Sequence, residues 1–257
     1  MAALWWRGEL PDPARPALAV VGSRAATGAG CERARSWAAA LAARGVIVVS
    51  GGAFGIDAAA HRGALDAGGT TCAVRGCGAD VVYPDRHAEL FESIVGSGGG
   101  LLSELPPGTP ARGRQFPARN RIIAALADAV LVMEAAPRSG ALITATVARR
   151  RGQRLLVVPG SAGTDALAAA GATAVRTLED VFEVLAGRPA TSVGAGPVGA
   201  AQAALRAALE AGERTPGGLA RALGLSLGEV MGLLTEAELD GWVRRADSTH
   251  YEVLRGH

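Results

Sequence analysis

From Ala17 to about Leu185 short β-branched runs alternate with Ala-rich helical stretches, the pattern of a parallel sheet covered by helices. The runs predict strands at Leu18–Val21, Val46–Val49, Thr71–Val74, Gly100–Ser103, Val130–Met133 and Leu155–Val158, with helices starting near Gly28, Ile56, His87, Arg119, Ala141 and Asp165. Small or polar turns follow almost every strand: Gly22-Ser23-Arg24, Ser50-Gly51-Gly52, Arg75-Gly76-Cys77-Gly78, Glu134 through Gly140, and Pro159-Gly160-Ser161. In a doubly wound sheet these turns share the edge at the strands' carboxyl ends, where helix amino termini offer free N–H groups and a positive dipole. That edge is the default binding site of an α/β fold.

Residues 188–199 are rich in Gly and Pro and poor in large apolar groups, which predicts a linker between domains at 1–187 and 200–257. Beyond it lie helical patterns at Gln202–Glu210, around Leu219–Leu223, and from the Gly224-Leu225-Ser226 turn to about Asp240. The segments Trp242–Arg245 and Tyr251–Leu254 read as a two-stranded wing. Three helices and a hairpin in this length predict a winged helix.

The 257 residues, 49% of them hydrophobic, suffice for one large core and a smaller one. All 26 cations are arginine. Without an ε-amine the chain has no Walker A lysine, pyridoxal-phosphate aldimine, Schiff-base aldolase or Ser-x-x-Lys nucleophile. A net charge of +2 is not a nucleic-acid signature, so a basic surface has to be sought locally. Cys31, Cys72 and Cys77, with no Cys-x-x-Cys, fit neither a disulfide scaffold nor a zinc cluster. No apolar run approaches the roughly 20 residues of a membrane span, and the amino terminus lacks a signal pattern. A soluble, cytoplasmic protein without cofactor or metal is expected.

Four segments carry candidate chemistry. Gly22 after a buried strand allows a sharp turn, Ser23 and the next amides can hold a phosphate oxygen, and Arg24 at the strand edge is placed to grip a phosphate. A surface arginine on a βα loop is the plainer alternative. In Ser50-Gly51-Gly52-Ala53-Phe54-Gly55, three glycines in five positions precede a helix and free its amides for an anion. Asp57 suits a helix cap. His61, one turn on, suits either a proton-transfer dyad with Asp57 or a pair pinning the helix start, the latter being the commoner arrangement.

Between Glu104 and Asp128 stand Arg112, Arg114, Arg119 and Arg121 with no acid, a local +4 beside Phe116-Pro117. An aromatic among arginines is expected where single-stranded bases stack and phosphates are neutralised. Asn120, the chain's one asparagine, suits a base edge or a helix cap. In the fourth segment Ser139-Gly140 can present amides to an anion, whereas Glu134 is a carboxylate without a catalytic partner. Gly224-Leu225-Ser226-Leu227-Gly228 matches a nucleophile elbow, but helices flank it, so Ser226 reads as an N-cap.

These segments occur together with Gly76-Cys77-Gly78, Val82-Tyr83-Pro84, Phe116-Pro117-Ala118-Arg119-Asn120-Arg121-Ile122-Ile123, Arg138-Ser139-Gly140-Ala141-Leu142-Ile143-Thr144-Ala145 and Val158-Pro159-Gly160-Ser161. In that order the sequence resembles the DNA processing protein A family (DprA, or Smf) over nearly its whole length. The resemblance implies a Rossmann-like domain with a carboxy-terminal winged helix. It also implies single-stranded DNA binding, homodimers, and loading of the RecA recombinase during natural transformation, without catalytic turnover. It places Gly22, Ser23, Arg24, Ser50, Gly51, Gly52, Gly55, Phe116, Arg119, Asn120, Arg121, Ser139 and Gly140 along the DNA, with Asp57, His61 and Glu134 organising loops. Phe54 departs from the small or basic residue usual in the family.

From Ala200 onward six arginines face eight acids, and the segment Ser226–Asp240 carries Glu229, Glu236, Glu238 and Asp240 with no cation. Such a helix is repelled by a DNA groove, so a protein-contacting winged helix that does not read duplex DNA is expected. The competing class is a nucleoside-monophosphate phosphoribohydrolase. It requires Pro-Gly-Gly-x-Gly-Thr-x-x-Glu, which Pro159-Gly160-Ser161-Ala162-Gly163-Thr164 only grazes.

Overall fold

The computed structural model describes residues 3–187, 198–239, 243–247 and 250–253, which fall into two compact units. In the first, an eight-stranded sheet is built from β1 (Trp5–Gly8), β2 (Ala17–Val21), β3 (Ile47–Ser50), β4 (Thr71–Val74), β5 (Gly100–Ser103), β6 (Ala129–Val132), β7 (Arg154–Val157) and β8 (Thr173–Ala174). Its helices are α1 (Gly28–Ala43), α2 (Ile56–Asp66), α3 (Ala88–Gly96), α4 (Gln115–Ala125), α5 (Ala141–Arg150), α6 (Ala162–Ala169) and α7 (Leu178–Ala186). Strand order is β1-β5-β4-β3-β2-β6-β7-β8, all parallel except β1.

The central strands are buried at every position and mostly apolar because both faces are covered. Along β2, Leu18 and Val20 join Ala34, Ala38 and Leu41 of α1 on one face. Ala19 and Val21 join Ile123 of α4 and Ala145 of α5 on the other. The chain runs outward from β2 through β5, then returns to lay β6 against the other side of β2, pairing Val21 with Val132. The turns after β2 and β6 therefore diverge at the carboxyl edge, opening the crevice that such a switch point creates.

Two strands escape the sequence pattern. β1 pairs antiparallel with β5, and Arg7 anchors it with two hydrogen bonds to Glu92 at 2.8 and 2.5 Å. It leaves Trp5 and Trp6 exposed. The sheet thus begins before Ala17. β8, two residues long, covers the opposite edge. α4 and α6 start four and three residues earlier than their patterns suggest, at Gln115 and Ala162.

In the second unit, α8 (Val198–Glu210), α9 (Pro216–Leu223) and α10 (Leu227–Leu239) enclose Leu205, Leu209, Leu219, Val230, Leu233 and Leu234. The antiparallel pair β9 (Val243–Arg245) and β10 (Tyr251–Val253) adds Val243 and Tyr251. Thr215 caps α9 through the Gly218 amide, and Gly224 ends it in the left-handed region. The Ser226 hydroxyl accepts from the Glu229 amide and donates to the Glu229 carboxylate, a cap and no nucleophile elbow. Linker residues 188–197, together with Asp240, Trp242 and Leu254, lie outside the described residues. Among the described residues no single helix is long and apolar enough to cross a membrane.

Candidate functional site

The crevice between the ends of β2 and β6 holds a pocket of about 80 Å³. Gly22 and Arg24 from the β2 turn, Phe116, Pro117, Arg119 and Asn120 from α4, and Ser139 and Gly140 before α5 line it together with Asp57. Segments more than a hundred residues apart thus meet at one edge. Pro117 sits in the first turn of α4, where its missing N–H costs no helical hydrogen bond.

Arg24 is exposed, and its guanidinium carbon lies 5.5 Å from the centre of the Phe116 ring. The cation therefore rests against the aromatic, a contact that holds it at the crevice mouth. The turn beneath it is fixed from both sides. The Ser23 amide donates to the Glu134 carbonyl at 2.7 Å, and the Ser23 hydroxyl accepts from the Ala25 amide at 3.2 Å. The Glu134 carboxylate accepts from the Thr27 hydroxyl at 2.7 Å and the Thr27 amide at 3.0 Å, while Thr27 caps α1 through Gly30. Glu134 thus ties β6 to the start of α1.

Four residues expected along the DNA are buried or paired in the free protein. Arg119 is 4% exposed. Its Nη1 donates to the carbonyls of Gly51, at 2.6 Å, and Val74. Desolvation lowers its pKa to about 10, partly offset by Asp57, so it stays charged at neutral pH but faces inward. Arg121 is paired with Glu104; the acid that precedes the basic stretch in sequence neutralises it in space. The Ser50 side chain is fully buried and donates to the Val20 carbonyl at 2.6 Å. Asn120 lies inside α4, so it is no cap, and its largely buried amide donates to the Gly140 carbonyl at 3.2 Å. It braces the crevice wall. Of the four arginines, Arg112 and Arg114 stay exposed.

The glycine loop is committed inward as well. Its Gly51 carbonyl serves Arg119, its Gly52 carbonyl meets His87 Nδ1 at 3.0 Å, and its Ala53 amide donates to Asp57 at 3.3 Å. Gly55 has φ +73° and faces the Ser23 carbonyl so closely that no Cβ fits, which couples this loop to the Arg24 turn. Burial raises the Asp57 pKa, and Arg119 lowers it in part.

Asp57 and His61 do not form a dyad. The Thr71 hydroxyl donates to the Val48 carbonyl at 2.7 Å, so it accepts from His61 Nδ1, also at 2.7 Å. That leaves His61 Nε2 buried and without a partner. The ring is neutral, its pKa lowered to about 3 by burial first and by Arg75, His87 and Arg119 after it. Ser139 accepts from the Ala141 amide at 3.3 Å through its hydroxyl and donates its own amide to Ala136 at 2.9 Å. Among the described residues no group of three or more His, Cys, Asp or Glu is arranged for a metal.

Arg75 and Tyr83 stand in segments the sequence marks, a turn and the Val82-Tyr83-Pro84 motif, but the sequence assigns neither a role. Arg75, 2% exposed, stacks 3.6 Å from the Phe91 ring centre and donates to the Val81 and Tyr83 carbonyls at 3.1 and 2.8 Å. Its one signal was position: a cation directly after the apolar strand β4. Cys72 and Cys77 are buried and Cys31 half-buried, all as free thiols.

The sequence model of DNA recombination-mediator protein A matches residues 1–186, and that of the DprA winged helix domain matches residues 188–247. The chain is 48% identical over 189 residues to the putative DNA processing protein DprA of Mycobacterium tuberculosis, covering 70% of this chain and 48% of that protein. To protein Smf of Escherichia coli it is 43% identical, covering 71% and 50%. It spans about half the length of these relatives. The X-ray structure of DNA processing protein A from Streptococcus pneumoniae is similar at TM-score 0.65 and 40% identity, covering 70% of this chain and 65% of that one. The corresponding Helicobacter pylori protein, reported for its unique single-stranded DNA binding mode, is similar at TM-score 0.66 and 28% identity, covering 71% and 86%.

Proposed function

The chain belongs to the DNA recombination-mediator protein A family, and from that premise we propose that it binds single-stranded DNA along the carboxyl edge of its sheet. The observation that carries this reading is Arg24, exposed and resting on Phe116 at the switch-point crevice. A guanidinium free to meet phosphate beside an aromatic surface suits a strand whose bases are unpaired, and recognises it without regard to sequence. The direct contacts are Gly22, Ser23, Arg24, Phe116, Ser139 and Gly140. Ser50 through Gly55, Asp57, His61, Arg119, Asn120 and Glu134 hold those contacts in place.

The protein shields a strand entering by natural transformation and loads RecA onto it, with no chemical turnover, in the cytoplasm. Two copies acting as a dimer on one strand gain affinity through effective concentration. Residues 188–199 link the sheet domain to the winged helix at 200–257. That domain meets another protein, because the acids of α10 oppose a DNA groove.

The test is a fluorescence-anisotropy titration of oligothymidine and an equally long duplex across salt concentrations, with wild type and Arg24→Ala. Tighter binding to the single strand is expected, with Arg24→Ala about tenfold weaker and its salt slope shallower by roughly 0.7, the share of one phosphate contact on a single strand. Equal affinity for both DNA forms, or no loss in the variant, overturns the reading.

A further inference from the structure

Tyr83 presents an exposed ring beside Phe116 at this site. Phe116 lines the crevice but is only half-exposed and already engaged. Arg24 lies 5.5 Å from its centre, Tyr83 lies 5.3 Å from it at a tilt of 35°, and the Gly76 backbone crowds the ring edge so closely that a Cβ there would come within 2.6 Å of Phe116 Cδ1. Tyr83 is 45% exposed, next to the exposed Val82.

An exposed aromatic alone is ordinary. This one differs in how it is held. The carbonyls of Val81 and Tyr83 are pinned by the buried guanidinium of Arg75, and the tyrosine ring leans on Phe116 from outside the pocket. The backbone that carries the ring is thus held before any ligand arrives, and the ring has an aromatic neighbour to lean on, so less freedom is lost on stacking.

We propose that Tyr83 is a base-stacking platform of the single-strand site, carrying a nucleobase at the crevice rim while Arg24 meets the neighbouring phosphate. The proposal rests on the single-strand reading above. It adds a contact outside the glycine and arginine motifs, and it makes part of the affinity depend on the presence of bases.

The experiment compares oligothymidine with an abasic deoxyribose-phosphate oligomer of equal length, using wild type, Tyr83→Ala, Tyr83→Phe and Arg24→Ala. Thermal melting establishes that each variant is folded. Tyr83→Ala is expected to bind oligothymidine about tenfold more weakly and the abasic oligomer as wild type does, with Tyr83→Phe restoring the loss. Arg24→Ala is expected to weaken both. If wild type binds oligothymidine and Tyr83→Ala binds it equally well, or loses equally on both oligomers, the platform is overturned and the single-strand reading stands. If wild type binds neither oligomer, the underlying reading fails and the platform with it.

Discussion

Arg119 and Arg121 stand two positions apart and look alike in a count of charge, yet one is buried beneath the glycine loop and the other is paired with Glu104. Charge counting locates a basic stretch; it does not report which way each side chain points once the helix begins. Placing the start of α4 four residues late put both arginines at a helix end, where every direction stays open. Arg24 and Phe116 were legible as separate signals, but their contact joins residues 92 positions apart and had no trace in either motif. Arg119→Met is expected to cost about 3–5 kcal/mol in urea unfolding, because Asp57 and two carbonyls lose a buried cation. His61 supplies a pH test. Its folded pKa lies below the unfolded value of about 6.5, so its share of stability is complete above that pH. As pH falls below it, the unfolded chain binds the proton first and stability drops by about 1.4 kcal/mol per unit. Asp57, with a raised pKa, acts in the opposite sense, closer to the carboxylate range. Urea midpoints at about pH 7 and about pH 5.5 are expected to differ in wild type and to differ less in His61→Asn, where His87, its pKa also lowered by burial, still acts in the same sense.

At the level of elements, the central strands were legible because burial on both faces makes each a short, mostly apolar run. β1 and β8 were not. An edge strand exposes one side, so Trp5 and Trp6 carry no alternation that distinguishes them from a loop. The loops at the carboxyl edge are legible as glycine-rich, whereas their internal bracing is not: the Ala53 amide donates to Asp57 and the Ser23 amide to the Glu134 carbonyl. Their work is to hold Arg24 and Phe116 in register. Gly55→Ala should therefore act at a distance. A methyl group at φ +73° against the Ser23 carbonyl displaces the Arg24 turn, with an expected loss of more than about 1 kcal/mol in stability. Oligothymidine affinity is expected to fall as well, since the turn that presents Arg24 moves with it. Melting and titration of the same sample check both. Glu134→Ala is expected to cost about 1–2 kcal/mol by freeing the Thr27 amide and hydroxyl.

Across the whole molecule, strand order decides where the binding edge lies. A sheet that starts at β2, grows outward and restarts at β6 opens one crevice beside its first strand, and the chain places Arg24, Phe116 and Tyr83 around that opening. The small net charge hides this asymmetry, since the acids of the carboxy-terminal unit offset the arginines of the sheet unit. Removing residues 198–257 is expected to leave oligothymidine affinity within about threefold of wild type, because no phosphate contact is assigned there. The central claim, that a single strand lies across the carboxyl edge of the sheet, is tested most directly by photocrosslinking an oligothymidine carrying 5-iodouracil and identifying the modified peptides by mass spectrometry. Crosslinks on the peptides holding Tyr83 and Phe116, suppressed by excess unlabelled oligothymidine, are the predicted result; crosslinks confined to α8, α9 and α10 would contradict it.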